Sequence, residues 1–304
     1  MHFSALHPMF GVQVHGVDLP TVTAQGDYPA LRAAFEQHSL LLFRGQSLDD
    51  EAHLAFGALW GPIEDRSMGK NGPKPQLDNV SNLRADQSIA PADDMLTLNL
   101  MGNQLWHTDS TFLPVPALAN ILAARVLSSS GGETELVSTR AAWRDMPAPL
   151  KERLRNAVLG HRLAHSRSRI SAALAEQPRI TRWADQYWRA VWPNPHNGLE
   201  SLYIASHAFA VDDLVPEQAQ ELIDQAVAFA TRPEAVYTHH WQAGDVLVWD
   251  ERATLHRGRP WPYAEERTLA SICISARDVD GLDSVRPTAS PQNDAVARPM
   301  PQSA

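Results

Sequence analysis

The stretch WHTDSTF, residues 106–112, decides how this sequence is interpreted. Side chains on an extended strand alternate between two faces, so residues two apart point the same way. An imidazole and a carboxylate spaced like His107 and Asp109 can therefore reach one metal ion together. Apolar residues on both sides, at 98–100 and 117–126, predict that the pair lies in the interior. Buried ionisable groups need a partner, and a metal ion is a natural one.

A second candidate imidazole, His256, lies 149 residues after His107. It follows the run DVLVWD, residues 245–250, whose apolar centre indicates another core strand. Two histidines and one carboxylate on one face of an octahedral metal leave the other positions open, as in non-heme Fe(II) oxygenases. The plainer alternative is a surface histidine hydrogen-bonded near an aspartate, because 13 histidines and 35 acidic residues give such pairs by chance.

Composition narrows the class of protein. The chain has 304 residues, of which 44% are hydrophobic, and a net charge of −9. This acidic balance argues against general nucleic-acid binding, which needs a basic surface. The single cysteine, Cys273, excludes an internal disulfide and a cysteine-ligated zinc site. No apolar run approaches the ~20 residues of a membrane span. No secretory signal is evident, so we expect a cytoplasmic protein without membrane or nucleic-acid partners.

One basic cluster stands out against this acidic balance. It runs from Arg162 to Arg169 and also contains Arg167, next to His161 and His165. The cluster is either a solvated loop or an anion-binding segment over an active site.

The order of apolar and polar residues predicts a mostly β protein with peripheral helices. Strand patterns dominate from Leu96 to Val126 and return near the end of the chain, so an antiparallel barrel or sandwich is the simplest architecture. We expect one domain over residues 1–282, with insertions near 64–94 and 165–197, where periodicity is weak. Residues 283–304, rich in Pro, Ser and Ala, are expected to be a disordered tail.

Three motifs together are far more specific than the H-x-D pair. Gly102–Phe112, Ser130–Glu135 and Trp249–Arg259 resemble the taurine dioxygenase/2,4-dichlorophenoxyacetate dioxygenase family. The similarity runs from about residue 7 to residue 276.

The resemblance implies a double-stranded β-helix, the jelly roll of cupin-like proteins, that holds Fe(II) and uses 2-oxoglutarate and O₂. It implies that His107, Asp109 and His256 are the iron ligands and the catalytic centre. Thr134 and Arg267 fall where the family binds the distal carboxylate of 2-oxoglutarate, and a guanidinium beside a hydroxyl suits that carboxylate. The implied reaction couples oxidative decarboxylation of 2-oxoglutarate to C–H hydroxylation of a small organic substrate, with ether or C–S cleavage on suitable carbons. Because a carboxylate occupies the position that a halide would need, a halogenase is not expected.

One departure from the family concerns the substrate. Members that cleave sulfonates and phenoxyacetates carry a second arginine, four residues after the first, which holds the substrate anion. This chain has Ser271 there. A hydroxyl cannot neutralise an anion as a guanidinium does, so either the substrate is not a small acid or another cation holds it. The candidate substrate residues are Asn82, Asn103, His165, Arg169, His207, Arg259 and Ser271.

Two further functions stay open at this point. The same cofactors support desaturation, cyclisation or epimerisation in biosynthetic pathways, and the sequence does not separate these outcomes from hydroxylation. The chain could also be a metal-binding barrel without oxygenase activity, although the presence of both Thr134 and Arg267 speaks against that. Oligomeric state, including a homo-oligomer, is likewise left open.

Overall fold

The computed structural model describes residues 1–65 and 77–288 as a mixture of helices and sheets. In chain order, the described strands are β1 (His2–Ala5), β2 (Val12–His15), β3 (Leu40–Phe43), β4 (Asp78–Ser81), β5 (Ala117–Val126), β6 (Thr134–Ser138), β7 (Val158–His161), β8 (Gln186–Arg189), β9 (Val191–Pro193), β10 (Glu200–Leu202), β11 (Ala208–Val211), β12 (Tyr237–His239), β13 (Val246–Asp250), β14 (Thr254–Gly258) and β15 (Thr268–Ser275). The described helices are α1 (Tyr28–His38), α2 (Asp50–Trp60), α3 (Met95–Gly102), α4 (Thr139–Asp145), α5 (Ala148–Arg155), α6 (Leu163–Ser168), α7 (Ala172–Ala175), α8 (Pro178–Thr181), α9 (Pro216–Ala230) and α10 (Leu282–Val285). The described residues therefore contain more helix than the mostly β chain that the sequence led us to expect. None of the described helices is long and apolar enough to cross a membrane.

The largest sheet organises the core. Its strands lie in the order β1-β2-β3-β13-β5-β15-β4, and β2 and β3 are its parallel pair. Alternate side chains enter two different apolar clusters, as the two-residue period of a strand requires. Leu41 and Val248 pack with helices α1 and α2 on the outer face. Leu42 and Trp249 point to the inner face, where they meet Leu136 of a second sheet.

The second sheet covers part of this inner face. It has the order β12-β6-β14, and all of its pairs are antiparallel. Two smaller sheets, β11-β7-β8 and β10-β9, lie elsewhere in the described chain. They share an apolar cluster with α9, to which Leu159, Leu202 and Leu222 contribute. The inner face of the large sheet and the facing strands β6 and β14 position the functional site.

The prediction of strands from Leu96 onward is wrong at its start, because residues 95–102 form helix α3. The side chain of Asp94 caps this helix by accepting a hydrogen bond from the Leu96 N–H at 2.8 Å. A short, nearly continuous apolar run has no period that separates a buried helix from a buried strand. The H-x-D pair is also not on a continuous strand, because His107 forms an isolated bridge and the chain turns at Ser110, whose φ is 60°.

Both expected insertions contain regular structure. Within 64–94, residues 66–76 lie outside the described residues, and the remainder supplies β4 at the edge of the large sheet. The segment 165–197 holds most of α6, all of α7 and α8, and strands β8 and β9. The expected tail begins too early at 283, because Leu282 and Val285 pack into the main core. Residues 289–304 of that tail lie outside the described residues.

Candidate active site

His107, Asp109 and His256 come together as a possible metal centre. One ligand atom from each lies within 4.8 Å of the others. The Oδ1 atom of Asp109 is 3.6 Å from Nε2 of His107 and 3.9 Å from Nε2 of His256. The triad inferred from the sequence is therefore assembled in space.

Backbone hydrogen bonds explain why the two imidazoles are neighbours. The N–H of His107 donates to the carbonyl of His256 at 3.0 Å, and the N–H of His256 donates back at 2.8 Å. This reciprocal pair brings the two rings to a centroid distance of 4.1 Å. The hydroxyl of Thr108, between the two ligand residues, donates to the carbonyls of Ile204 and Thr254. These bonds hold the turn that presents Asp109 to the histidines.

The protonation of the site suits a divalent metal. Nδ1–H of His107 donates to the carbonyl of Leu105 at 2.7 Å, so Nε2 is the ring nitrogen that faces Asp109 and is available to a metal. Burial, together with the neighbouring His107, lowers the pKa of His256 to about 3. Two imidazoles and a carboxylate form the donor set expected for Fe(II) with open coordination positions. The residues present therefore fit the metal.

Two polar side chains behind the triad were missed by the sequence analysis. The amide of Asn120 donates to Oδ2 of Asp109 at 2.7 Å, which turns Oδ1 toward the histidines. Glu251 accepts hydrogen bonds from the Asp109 N–H at 2.9 Å and from the Trp249 indole at 2.6 Å. Burial, together with the charge of Asp109, raises the pKa of Glu251 well above its usual value. Asn120 is the one polar residue in the apolar run 117–124, and this feature of the sequence could have drawn attention to it.

Arg267 and Thr134, the two residues expected to bind the carboxylate of 2-oxoglutarate, both line the same cavity. Burial lowers the pKa of Arg267 to about 10, which the charge of Glu133 only partly offsets, so the guanidinium stays ionised near neutral pH. Its Nη2 donates to the carbonyl of Gly132 at 2.5 Å. A Cβ at that glycine would lie 2.5 Å from Nε of the arginine, so any other residue at this position would clash with the Arg267 side chain. The Thr134 hydroxyl accepts from the Trp241 indole at 3.0 Å and can donate its own proton to a carboxylate.

Comparisons with known proteins agree with this geometry. The model of the family described as "Taurine catabolism dioxygenase TauD, TfdA family" matches residues 2–273. The chain belongs to this family. It is 31% identical over 270 residues to an alpha-ketoglutarate-dependent 2,4-dichlorophenoxyacetate dioxygenase of Burkholderia sp. (strain RASC), covering 87% of this chain and 91% of the relative.

Two further similarities extend this result. An (S)-phenoxypropionate/alpha-ketoglutarate-dioxygenase of Sphingobium herbicidovorans is 32% identical over 280 residues, with 87% of this chain and 91% of the relative covered. The crystal structure of AAD-2 in complex with Mn(II) and N-oxalylglycine has a TM-score of 0.84 at 30% identity, covering 91% of this chain and 98% of that one. The expectation of a 2-oxoglutarate-dependent dioxygenase that uses Fe(II) and O₂ is confirmed. The alternative of a non-catalytic metal-binding barrel is set aside.

The cavity of this TauD/TfdA-family dioxygenase has a volume of about 380 Å³. Three of the seven candidate substrate residues line it: Asn103, His207 and Ser271. Asn82 does not, because its side chain accepts from the N–H of Arg267 and donates to the carbonyls of Tyr263 and Glu265. Its role is to place the backbone that carries Arg267.

The other three candidates also lie outside this cavity. The ring of His165 packs at 6.3 Å from that of Phe209. Arg169 is exposed and lines a separate groove beside Trp106. Arg259 is exposed and lies 3.7 Å from Glu135. Among the basic side chains of the cluster at 162–169, the one that lines the cavity is Arg167.

An apolar surface borders Arg167 in the dioxygenase cavity and was not predicted. Phe112, Leu163 and Ile180 are buried together there, with the partly buried Trp183 packed against them. Three of these residues lie at or near the short helices α6 and α8. Their sequence pattern is too irregular to assign a face before the fold is known.

Proposed function

We propose that this dioxygenase binds Fe(II) through Nε2 of His107, Oδ1 of Asp109 and Nε2 of His256. The observation that carries the proposal is the convergence of these three ligand atoms within 4.8 Å, in a cavity that also contains Arg267. The distal carboxylate of 2-oxoglutarate is held by the Arg267 guanidinium and the Thr134 hydroxyl. The reaction is hydroxylation of a C–H bond in a small organic substrate, as the names of the phenoxy-acid relatives suggest.

The fold that carries this chemistry is a jelly roll in one domain that reaches at least to Val285. The support is the pair of facing sheets, one of seven strands and one of three, with the triad between them. The structural similarity to AAD-2 over 91% of this chain also supports it.

Bound Fe(II) supplies activation of O₂ coupled to oxidative decarboxylation of 2-oxoglutarate. The chain's own residues supply orientation. Asn120 and Glu251 fix the carboxylate and the backbone of Asp109, and the Leu105 carbonyl fixes the tautomer of His107. Leu122, Trp249 and Leu269 line the cavity and exclude water from the reacting groups. A cavity of about 380 Å³ suits a small molecule.

The proposed function is tested by following succinate release from 2-oxoglutarate with purified enzyme and Fe(II). Wild type should release succinate and should bind 2-oxoglutarate only when the metal is present. The Asp109→Ala variant should lose both properties while its thermal unfolding midpoint stays close to that of wild type. Metal-independent binding of 2-oxoglutarate, or full succinate release by Asp109→Ala, would contradict the proposed site.

A further inference from the structure

Thr134 begins β6, the central strand of the second sheet. It lies opposite His239 of β12 on one side and opposite Gly258 of β14 on the other. Residues that face each other on neighbouring strands place their side chains on the same face of a sheet. The His239 ring therefore lies beside Thr134, whereas Gly258 has no side chain and lines the cavity together with the threonine.

The indole of Trp241 determines what the Thr134 hydroxyl can do. Its N–H donates to Oγ1 of the threonine at 3.0 Å. An indole nitrogen can only donate, whereas a threonine hydroxyl offers one proton and two lone pairs. Thr134 is 4% exposed, and in the described part of the chain no protein group accepts its hydroxyl proton. That proton is therefore available in the cavity that Thr134 shares with Arg267.

The hydrogen bond from Trp241 also restricts where the proton can point. A free hydroxyl rotates among about three staggered positions. The indole N–H occupies one direction around Oγ1, so the threonine proton cannot turn toward the indole. Hydrogen bonds that follow one another in a chain also polarise and strengthen each other. A threonine that accepts from Trp241 is thus a better donor to an anion than a threonine without that partner.

Trp241 is held in place by a buried histidine. The ring of His239 packs edge-on against the indole at a centroid distance of 4.6 Å and an angle of 88°. His239 is fully buried, its Nε2 lies 3.1 Å from Oδ2 of Asp245, and its Nδ1 lies 3.2 Å from the Tyr237 hydroxyl. Because both ring nitrogens have polar neighbours, the imidazole presents a fixed surface to the indole.

Asp245 fixes the turn that carries Trp241. Its Oδ2 atom is buried and accepts from Nη1 of Arg44 at 2.5 Å and from the N–H of Gln242 at 2.8 Å. Arg44 follows β3, Gln242 follows Trp241 directly, and His239 ends β12. One carboxylate oxygen therefore joins three segments of the chain, and charge-assisted hydrogen bonds of this kind are among the stronger ones.

We propose that Trp241 is a positioning residue for 2-oxoglutarate. Its indole N–H directs the Thr134 hydroxyl proton toward the distal carboxylate that Arg267 binds. Trp241 is not among the described residues that line the cavity, so it acts through Thr134. This proposal rests on the proposed function and extends the co-substrate site to the turn between β12 and β13.

The test measures 2-oxoglutarate binding in Trp241→Phe, which keeps an aromatic ring but removes the N–H. Fe(II)-loaded enzyme is titrated anaerobically with 2-oxoglutarate by calorimetry. Trp241→Phe should bind the co-substrate about three- to tenfold more weakly, the size expected for one hydrogen bond. Its affinity for Co(II), which does not depend on Thr134, should equal that of wild type.

Variants of Thr134 show whether Trp241 acts through the hydroxyl. In the Thr134→Val background the hydroxyl is absent, so Trp241→Phe should change the affinity for 2-oxoglutarate by less than about twofold. In the Thr134→Ser background the hydroxyl is present, so Trp241→Phe should again weaken binding about three- to tenfold. A role of Trp241 in packing alone would give the same loss in both backgrounds.

The matched control is Trp60→Phe. Trp60 ends α2 and packs in the apolar cluster on the outer face of the large sheet. Its indole N–H has no hydrogen-bond partner in the described part of the chain, so the same substitution removes no hydrogen bond there. Trp60→Phe should bind 2-oxoglutarate like wild type.

The outcomes separate this proposal from the proposed function. If wild type binds no 2-oxoglutarate in the presence of Fe(II), the proposed function fails. If wild type binds it and folded Trp241→Phe binds it equally well, the role of Trp241 is overturned and the proposed function stands. An equal loss in the Thr134→Val background also overturns that role. Thermal unfolding identifies any variant that fails to fold, and Trp241→Leu, which also lacks the N–H, replaces Trp241→Phe in that case.

Discussion

The cavity has two sides that are built differently. The first, called here the strand wall, consists of residues on or next to core strands: Asn120, Thr134, Trp249, His256, Arg267 and Ser271. The second, called the helical wall, consists of residues on or next to short helices: Asn99, Asn103, Leu163, Arg167, Ile180 and Trp183. The strand wall is tied to its neighbours by backbone ladders, whereas the polar residues of the helical wall are held mainly by side-chain contacts.

This difference suggests a division of labour. Metal and co-substrate binding require fixed distances, and strands tied to their neighbours by backbone hydrogen bonds give the more rigid support. Recognition of a substrate tolerates variation, and short helices joined by loops can change without disturbing the sheets. We therefore expect changes in the strand wall to abolish the reaction and changes in the helical wall to alter which molecule reacts.

The largest expected effect is in the triad. Replacing Asp109 with Ala removes the carboxylate ligand and leaves two histidines with too few donors for Fe(II). Succinate release should become undetectable, and titration with Co(II) should show strongly weakened binding. Asp93→Ala, an exposed aspartate near α3, is the control and should behave like wild type. Normal turnover by Asp109→Ala would show that Asp109 is not a metal ligand.

The second effect concerns 2-oxoglutarate. Arg267→Ala should weaken its binding by about 2 to 5 kcal/mol, because a buried carboxylate loses its charged partner. Thr134→Val should cost about 1 to 2 kcal/mol, because one hydrogen bond is lost and the Trp241 indole loses its acceptor. Calorimetry with Fe(II)-loaded enzyme gives both values, and Arg259→Ala serves as the exposed control. Unchanged binding in Arg267→Ala would place the carboxylate elsewhere.

A third prediction concerns the support behind the strand wall. Glu251→Gln preserves the size of the side chain next to Asp109 but replaces one of its two oxygens with an NH₂ group, so it can no longer accept from both the Asp109 N–H and the Trp249 indole. Partners of metal ligands typically contribute about 10- to 100-fold to metal affinity, so Co(II) binding should weaken within that range. Glu221→Gln on the exposed face of α9 is the matched control. If the metal affinity of Glu251→Gln equals that of wild type, the contribution of Glu251 is limited to packing.

The sequence was informative about the strand wall and much less so about the helical wall. His107, Asp109 and His256 were predicted from their residue types and motifs, and that prediction does not depend on the secondary structure of the neighbouring segment. The structure brings the three together although residues 95–102, predicted as strand, are helical. The sequence could not show that Arg167 and not Arg169 lines the cavity. The helix α6 has six residues, too few for a helical period to show which side chain faces inward. Asn120 and Glu251 act on Asp109 across the fold, and sequence distance hides such contacts.

The smallest expected effect compares one buried histidine behind each wall. His161 ends β7 just before α6, and burial lowers its pKa to about 3. His53 on α2 lies behind β5, where Nε2 donates to the carbonyl of Ile121 at 3.2 Å, and burial lowers its pKa to about 4. In the unfolded chain a histidine takes up a proton below about pH 6.5. Since the folded state binds fewer protons in that range, the free energy of unfolding falls as pH falls.

Each of these two histidines should therefore cost about 1.4 kcal/mol of stability between pH 7.5 and pH 5.5. Urea unfolding at both pH values gives the decrease in the free energy of unfolding between them. Relative to wild type, this decrease should be smaller by about 1.4 kcal/mol in His161→Phe and in His53→Phe. It should be unchanged in the exposed control His2→Phe. An unchanged loss in His161→Phe would mean that His161 is protonated in the folded state. A third outcome is that His161→Phe reduces the loss by the full amount of about 1.4 kcal/mol whereas His53→Phe does not reduce it. His53 would then be protonated in the folded state, so the structure behind the strand wall would be the one that opens to the proton. That result would contradict the greater rigidity argued for the strand wall from its hydrogen bonds.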